Sequence, residues 1–166
     1  GIPEDASVAI EYRLNGRKFR IDFLIAGQDA QGSESMVIIE LKQWEEIEFS
    51  NLEGHVKTYL GGSKRDVVHP SYQAWSYATH MNMYNEYVYT NNLDVAACAY
   101  LHNCKTKSVV CDDKFSEHLA NAPVFIKGDI EDLRSLIRSR VVDGGDPSIL
   151  NRVDASPIRP SKQLAD

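Results

Sequence analysis

The sequence predicts one domain of α/β or α+β class, in which a mixed β-sheet forms the core and helices flank it. Two segments near the N-terminus alternate between apolar and polar residues, which is typical of antiparallel strands with one buried face. A third segment is almost continuously apolar, as expected for a central strand covered on both faces. Helical and strand-like segments follow one another along the rest of the chain, so we expect a mixed sheet.

The length and composition are those of an ordinary globular domain. The 166 residues are 43% hydrophobic and 25% charged, and these proportions argue against disorder. There is no run of about eighteen apolar residues and no leader sequence, so we expect a cytoplasmic protein that does not enter a membrane. Three cysteines without a C-x-x-C pair argue against a disulfide framework and a zinc knuckle. The net charge of -6 does not favour a nucleic-acid binder, although metal-binding carboxylates also add negative charge.

The first two strands are predicted at residues 8–14 and 17–25, on either side of Asn15-Gly16. Asparagine followed by glycine is the strongest short signal for a two-residue hairpin turn. Each strand has one apolar face, which its alternation assigns to the core. These faces consist of Val8, Ile10, Tyr12 and Leu14 in the first strand and of Phe19, Ile21, Phe23 and Ile25 in the second.

The two-residue turn also fixes which residues of the hairpin face each other. It places Glu11 opposite Arg20, where the two side chains can form a cross-strand ion pair. It places Asp22 opposite Ala9, so this carboxylate has no charged partner in the hairpin. We therefore expect a structural role for the ion pair and a different role for Asp22.

The third strand is predicted at residues 36–43 and carries two charged side chains near the end of an apolar run. Met36, Ile38, Glu40 and Lys42 share one face of this strand, because side chains alternate along it. Burying an unpaired charge is costly, so a charged residue in such a place needs a partner or a function.

A glycine-rich, basic loop at residues 60–66 precedes the first helix, which is predicted from Pro70 to residue 87. Proline suits the first turn of a helix, since the N–H that it lacks has no helical partner there. We expect His69 to be a structural residue at this helix start, although it could also bind phosphate. The expected apolar stripe of the helix consists of Tyr72, Trp75, Thr79 and Met83.

A buried strand is predicted at residues 93–101 and a short strand at residues 124–126. A second long helix follows Asp129, which is a good N-capping residue. Its buried stripe is expected to consist of Leu133, Leu136, Ile137 and Val141. Residues 144–166 are polar, contain prolines and show no strong apolar period, so we interpret them as a linker.

Asp22 and Glu40 lie on adjacent predicted strands and can converge on one point if those strands pair. Two carboxylates, a backbone carbonyl and water form an oxygen-rich site that suits Mg²⁺ or Mn²⁺. We expect Asp22, Glu40 and the carbonyl oxygen of Leu41 to hold the metal ion. Lys42 would orient or help to deprotonate the attacking water and stabilise the charge that develops on a phosphate. These residues predict hydrolysis of a phosphodiester bond.

The combination of Asp22 with the sequence ELK at residues 40–42 resembles the catalytic motif of the PD-(D/E)XK nuclease superfamily. The sequence QAWSY at residues 73–77 resembles the QxxxY motif of its RecB-like branch. The resemblance implies a restriction-endonuclease-like fold and catalytic roles for Gln73 and Tyr77. These two residues are four apart, so they share a helix face from which they can reach the DNA backbone or the metal site.

Nearly the whole chain resembles the N-terminal region of bacterial proteins in which a nuclease-like domain precedes a superfamily one helicase-type ATPase. The resemblance rests on the sequences VAIEYRL, RIDFLI, IIELKQW, HPSYQAWSY and CAYLHN. It implies a metal-dependent nuclease domain at residues 1–143 that acts on nucleic acid, with DNA expected, and a linker at residues 144–166 that leads towards the ATPase. It also implies a first core helix before Gly1, which often contributes a glutamate to the metal site.

Some interpretations stay open at this point. The alternative function is that of an inactive domain that keeps the nuclease fold and binds nucleic acid or a protein partner. Trp44 could stack on bases or pack in the core, whereas core packing is the better interpretation for Trp75. The residues that could contact phosphates, or simply belong to solvated loops, are Arg17, Lys18, Lys57, Lys64 and Arg65.

Overall fold

The computed structural model describes residues 1–13 and 20–165, apart from the side chain of residue 165. Within these residues the chain forms a five-stranded sheet, a separate three-stranded sheet and six α-helices. The strands are β1 (Ser7–Arg13), β2 (Arg20–Gln28), β3 (Glu34–Lys42), β4 (Ile47–Phe49), β5 (His55–Leu60), β6 (Ser63–Val68), β7 (Asp94–Leu101) and β8 (Val124–Ile126). The helices are α1 (Pro70–Tyr84), α2 (Glu86–Thr90), α3 (Ser116–Asn121), α4 (Ile130–Arg140), α5 (Ile149–Ala155) and α6 (Lys162–Ala165). None of the helices in the described residues is long and apolar enough to cross a lipid bilayer.

The five-stranded sheet is mixed and has the strand order β1-β2-β3-β7-β8. β1, β2 and β3 form an antiparallel meander, whereas β7 runs parallel to β3 and β8 runs parallel to β7. Parallel neighbours need a long crossover connection, and here the small sheet, α1 and α2 lie between β3 and β7. The predicted α+β fold with a mixed-sheet core and flanking helices is confirmed.

α1 covers one face of the large sheet. Met36 and Ile38 of the central strand β3 pack in one apolar cluster with Ala74, Ala78 and Met81 of the helix. The two alanines allow the helix backbone to approach the sheet closely, because they place no bulky side chain between helix and sheet. We call this group of residues the first cluster.

α4 covers the opposite face of the sheet. Its Leu133 and Ile137 pack with Val37 and Ile39 of β3, and the side chain of Cys98 is fully buried in the same cluster. Alternate residues of β3 therefore lie on opposite faces, as the sequence predicted. The even-numbered residues of this strand face α1.

The register of the β1–β2 hairpin differs by two residues from the predicted one. Ala9 faces Leu24 instead of Asp22. Glu11 and Arg20 nevertheless form the predicted ion pair, with Oε1 and Nη1 3.7 Å apart, because the two side chains meet diagonally across the strands. The predicted turn Asn15-Gly16 and the predicted face residues Leu14 and Phe19 lie outside the described residues.

β1 does not bury the face that its alternation predicted. Val8 and Ile10 are 51% and 70% exposed, whereas Ala9 and Tyr12 pack against the first cluster. Residues on one face of a regular strand are two apart, so these two contacts, three residues apart, require a break in the strand. Glu11 provides this break, since its φ angle is 53°.

Residues 47–68 form the three-stranded sheet, in a region where the sequence predicted no strands. β5 and β6 are antiparallel and meet at Gly61-Gly62, where both residues have positive φ angles that glycine adopts without a steric penalty. The buried side of the sheet packs around Val56, in one cluster with Trp44. The sheet was difficult to predict because β6 begins with four polar residues and has no clear alternation.

α1 begins at Pro70, as predicted, but it ends at Tyr84 and buries a different stripe of side chains. Tyr72 and Met83 were expected to be buried and are 49% and 37% exposed. The predicted stripe is wrong because the helix contacts the sheet mainly through small residues, which a search for large apolar side chains overlooks. The buried residues are Pro70, Ser71, Ala74, Tyr77, Ala78 and Met81.

The later elements agree with the sequence more closely. β7 and β8 occupy the segments predicted at residues 93–101 and 124–126, and α4 follows Asp129. Asp129 does not cap the helix through its side chain. Its carboxylate instead accepts a hydrogen bond from the backbone N–H of Ile126 and pairs with Lys107.

The segment from residue 144 to residue 161 packs against the domain, in contrast to the polar linker that the sequence suggested. Ile149 and Val153 of α5 are fully buried in the first cluster. The backbone N–H of Arg159 donates a hydrogen bond of 2.9 Å to the carbonyl oxygen of Tyr84. Two apolar residues four apart therefore anchor a short helix that a longer periodicity window does not detect.

Candidate active site

The candidate site lies where β2 begins and β3 ends. The register of these antiparallel strands pairs Phe23 with Ile39, and its continuation by one residue places Asp22 opposite Glu40. Asp22 Oδ2 accepts a hydrogen bond of 3.0 Å from the backbone N–H of Leu41. The structure thus brings together the two carboxylates that the sequence singled out.

Glu40 is a buried carboxylate with an unused hydrogen-bond acceptor. The residue is 3% exposed and its Oε1 lies 3.2 Å from Lys42 Nζ. Within residues 1–13 and 20–165 no hydrogen-bond donor reaches its Oε2. Burial raises the pKa of Glu40 to about 7, with the Lys42 ammonium opposing this rise and the Asp22 carboxylate adding to it. An oxygen in this position is satisfied by a proton or by a cation.

Lys42 places its ammonium group between the buried carboxylate and an aromatic ring. Besides the contact with Glu40, Nζ lies 5.1 Å from the centroid of the Trp44 ring, which is a cation–π distance. The Lys42 side chain is 20% exposed, so part of it reaches the surface. The amine is therefore held in one place while it stays accessible to a ligand.

α1 contributes Gln73 and Tyr77 to the same site. Gln73 Nε2 donates a hydrogen bond of 3.0 Å to Tyr77 Oη, as expected for residues four apart on one helix face. Burial and then the negative charge of Glu40 raise the pKa of the Tyr77 hydroxyl, with a smaller effect from Asp22. The structure therefore brings all five predicted catalytic side chains into one neighbourhood.

Leu41 contributes its backbone, but the contact involves the amide and not the carbonyl. Its N–H holds the Asp22 carboxylate, whereas its carbonyl oxygen was expected to bind the metal ion. This amide fixes the orientation of Asp22, because a charged acceptor makes a strong hydrogen bond. The role of the carbonyl oxygen stays a prediction.

The donor set fits a small, hard cation. Carboxylates are the type of ligand that Mg²⁺ and Mn²⁺ prefer, and one of the two here has a buried oxygen with no hydrogen-bond donor among the described residues. Mg²⁺ usually takes one or two carboxylates and keeps several waters. Among the described residues there is no group of three or more His, Cys, Asp or Glu side chains that could hold a metal ion, so water would complete the coordination here.

An open groove of about 720 Å³ extends from Lys42 between α1 and the small sheet. This groove was not predicted, because the small sheet was not recognised and Tyr72 was assigned to a buried stripe. The alternation in HVKTYL at residues 55–60 was the available signal for this sheet. The other lining residues are Trp44, His55, Leu60, Asp66, Val67, Val68, Gln73, Ser76 and Tyr77.

His69 has the structural role that we expected. It is fully buried, its Nε2 lies 2.8 Å from the carbonyl oxygen of Val110, and its Nδ1 accepts a hydrogen bond from the backbone N–H of Ser71. Burial lowers the pKa of His69 to about 4. The imidazole is therefore neutral at physiological pH and caps the start of α1.

The tryptophans and the other basic residues named from the sequence lie outside the group of five candidate catalytic side chains. Trp44 is only 8% exposed and packs against Lys42, so the structure favours core packing over base stacking for this residue. Trp75 is partly buried against the first cluster. Lys64 pairs with Glu48 at 2.9 Å on the small sheet. Lys57 and Arg65 lie in β5 and β6 of the small sheet. Arg17 and Lys18 lie outside the described residues.

Comparison of the chain with protein-family models, with curated proteins and with solved structures found no match. The structure itself defines a mixed α+β domain in which a buried carboxylate, Glu40, lies near the end of the central strand β3 and a half-buried one, Asp22, lies at the start of β2. A function for this chain must therefore be argued from the chemistry of that pair and of its neighbours.

Proposed function

We propose that this chain is a metal-dependent nuclease domain that hydrolyses phosphodiester bonds, with DNA as its substrate. The observation that carries this proposal is the pair formed by half-buried Asp22 and buried Glu40, in which no hydrogen-bond donor among the described residues reaches Glu40 Oε2 although Lys42 is adjacent. A buried oxygen without a partner costs stability, and such a cost is typical of functional sites. The motif that resembles PD-(D/E)XK nucleases supports the same function.

Asp22, Glu40 and the carbonyl oxygen of Leu41 would hold Mg²⁺ or Mn²⁺. The bound ion supplies a Lewis acid and lowers the pKa of its bound water. The Leu41 amide keeps Asp22 in the orientation that this site needs. Glu40 gives up its proton readily near neutral pH, because its pKa is about 7.

The remaining polar side chains act on the substrate and on the attacking water. Lys42 orients the water and donates a hydrogen bond to the phosphate oxygen on which negative charge develops. Gln73 and Tyr77 bind the phosphate backbone as hydrogen-bond donors, from a helix face that already points to the carboxylates.

Cleavage of end-labelled DNA and RNA, single-stranded and duplex, tests the proposal. We expect cleavage of DNA in Mn²⁺ or Mg²⁺ and none in EDTA. Lys42→Ala should lower the cleavage rate by about 100-fold or more, because it removes a donor to the developing charge. Asp22→Asn and Glu40→Gln should lower it similarly, whereas Lys105→Ala removes an exposed lysine outside the site and should leave it unchanged. Cleavage that persists in EDTA or in all three site variants would reject the proposal.

The competing function is that of an inactive module that keeps the fold and binds nucleic acid or a protein. It is favoured by the lack, in the described residues, of a third carboxylate grouped with Asp22 and Glu40. This module would bind DNA equally well with and without metal ions and would tolerate Lys42→Ala. Binding without cleavage under every metal condition would support it.

The resemblance supports one further part of the proposal. The domain would act in the cytoplasm beside a helicase-type ATPase of the same polypeptide. Such a motor would unwind DNA close to the site, because the nuclease and helicase domains would be covalently linked.

A further inference from the structure

The groove beside the candidate site has a different character from a duplex-binding surface. Among the described residues that line it, Lys42 is the only lysine or arginine, and Glu40 already pairs with it. Proteins that bind duplex DNA along a surface neutralise several phosphates with lysine and arginine. The groove also contains the Asp66 carboxylate, which accepts a hydrogen bond from Ser50. Its walls therefore favour uncharged parts of a nucleic acid over a row of phosphates.

Tyr72 is the exposed aromatic residue on the α1 wall of this groove. It is 49% exposed, although it belongs to a helix that covers the sheet. The ring meets the His118 ring edge to face, with centroids 5.3 Å apart and an interplanar angle of 74°. This contact holds the tyrosine in place, so that little conformational freedom would be lost when a flat ligand stacks on it.

The small sheet provides the opposite wall. His55 and Val68 face each other across β5 and β6, and both line the groove. The His55 ring is held by a 2.6 Å contact between Nδ1 and the carbonyl oxygen of Glu53, and Val68 is 37% exposed. An imidazole and an isopropyl group thus lie across the groove from Tyr72. Flat, weakly polar bases are the part of a nucleic acid that matches such walls.

We propose that this groove binds single-stranded nucleic acid, with an unpaired base stacked on Tyr72 and the adjoining phosphate directed to Lys42. The inference rests on the proposed function, because in both proposals Lys42 binds a phosphate of the nucleic acid. Bases inside a duplex already stack on each other, so they cannot offer a face to Tyr72 unless they are flipped out. A volume of about 720 Å³ lies in the usual range of pockets for small ligands, which includes nucleotides.

Equilibrium binding in EDTA tests this inference without any contribution from cleavage. Fluorescence anisotropy would compare a labelled oligothymidine of about twelve nucleotides with a hairpin duplex that has the same number of nucleotides. We expect the single strand to bind at least about tenfold more tightly. Tyr72→Ala should weaken single-strand binding by about tenfold, and Tyr72→Phe should stay within about twofold of wild type because it keeps the ring.

Met83→Ala is the matched control, since it removes an exposed side chain of α1 outside the groove. It should leave binding unchanged. If Tyr72→Ala does not fold, Tyr72→Leu removes the aromatic ring while keeping apolar bulk, and it should show the same loss. Equal affinity for single strand and duplex, no binding to either, or wild-type binding by the folded Tyr72 variant would overturn the inference.

The binding and cleavage experiments separate the two proposals. Tyr72-dependent binding of single strands without metal-dependent cleavage would support the proposed binding groove and reject the proposed nuclease activity. Metal-dependent cleavage that is independent of Tyr72 and faster on duplex DNA would support the proposed nuclease activity and reject the proposed binding of single strands in the groove.

Discussion

A single oxygen atom, Glu40 Oε2, distinguishes the candidate site from an ordinary buried ion pair. In an ion pair that serves stability alone, further hydrogen bonds satisfy the charged atoms. Without them the free energy of desolvating the two charges exceeds the gain from their electrostatic attraction. Here Oε1 pairs with Lys42, whereas Oε2 has no hydrogen-bond donor in the part of the chain that the structure describes. Asp22 adds a second carboxylate, whose negative charge contributes to the raised pKa of Glu40. At the scale of the residue, the site is therefore arranged to receive positive charge.

This arrangement predicts that the wild-type chain without metal is less stable than its Glu40→Gln variant. Burial raises the pKa of Glu40 from 4.5 to about 7, so the folded state binds a proton more tightly than the unfolded state does. The resulting stability is present below pH 4.5 and is lost as the pH rises to about 7. At about 1.4 kcal/mol per pH unit, the variant should be about 3 kcal/mol more stable than wild type at pH 8.

Urea unfolding in EDTA at several pH values measures this difference. Glu45→Gln, at an exposed position, is the matched control and should unfold like wild type. His69 changes stability in the opposite sense, because its lowered pKa makes the fold lose stability as the pH falls from 6.5 to about 4. Comparison of variant and wild type at the same pH cancels this contribution. A Glu40→Gln variant that is no more stable than wild type at pH 8 would show that the carboxylate is well solvated.

Residue types and their spacing were sufficient to find the residues of the candidate site, but they did not predict the individual contacts between them. Asp22, Glu40 and Lys42 attract attention because charged residues in apolar strands are unusual. The hydrogen bond from the Leu41 amide to Asp22 depends on the register of β2 against β3, which no local pattern encodes. Tyr72 was misassigned because an exposed aromatic side chain on a helix has the same periodicity as a buried one.

At the scale of the element, strong patterns predicted strands and helices, and weak ones failed. β3 was found because a short, continuous apolar run is typical of a strand that is covered on both faces. The predicted register of β1 against β2 was wrong, since Ala9 faces Leu24, and the break at Glu11 shifts the buried face of β1. The small sheet was missed because β6 begins with four polar residues, and because the sheet's buried side packs in one cluster with Leu101 and Phe115, which are distant in sequence.

The packing of α5 gives the prediction that belongs to this scale. Val153→Ala should lower the free energy of unfolding by about 1–3 kcal/mol, because it leaves a cavity at a fully buried position. Val142→Ala removes the same group at a position that is 51% exposed and should change stability by less than about 0.5 kcal/mol. Urea unfolding measures both variants. Equal stability of Val153→Ala and wild type would show that the segment is a linker that does not contribute to the core.

At the scale of the whole molecule, the site depends on three units that are separate in sequence. The meander β1-β2-β3 positions the carboxylates, α1 brings Gln73 and Tyr77 to them, and the small sheet forms the far wall of the groove. The crossover from β3 to β7 contains both of the latter units. A mixed sheet with the candidate site residues at a strand end could be predicted from the sequence. A groove between a helix and an inserted sheet could not, because it arises from their packing.

Mn²⁺ binding tests the central claim, that Asp22 and Glu40 form a cation site, more directly than any activity. The free Mn²⁺ signal in electron paramagnetic resonance would be titrated with the chain at pH 8, above the pKa of about 7 that burial gives Glu40. We predict about one ion bound per chain, with affinity lowered by about tenfold or more in Asp22→Asn and in Glu40→Gln, and unchanged in Glu45→Gln. The same Mn²⁺ affinity in Glu40→Gln as in wild type, or no binding to wild type, would contradict the claim.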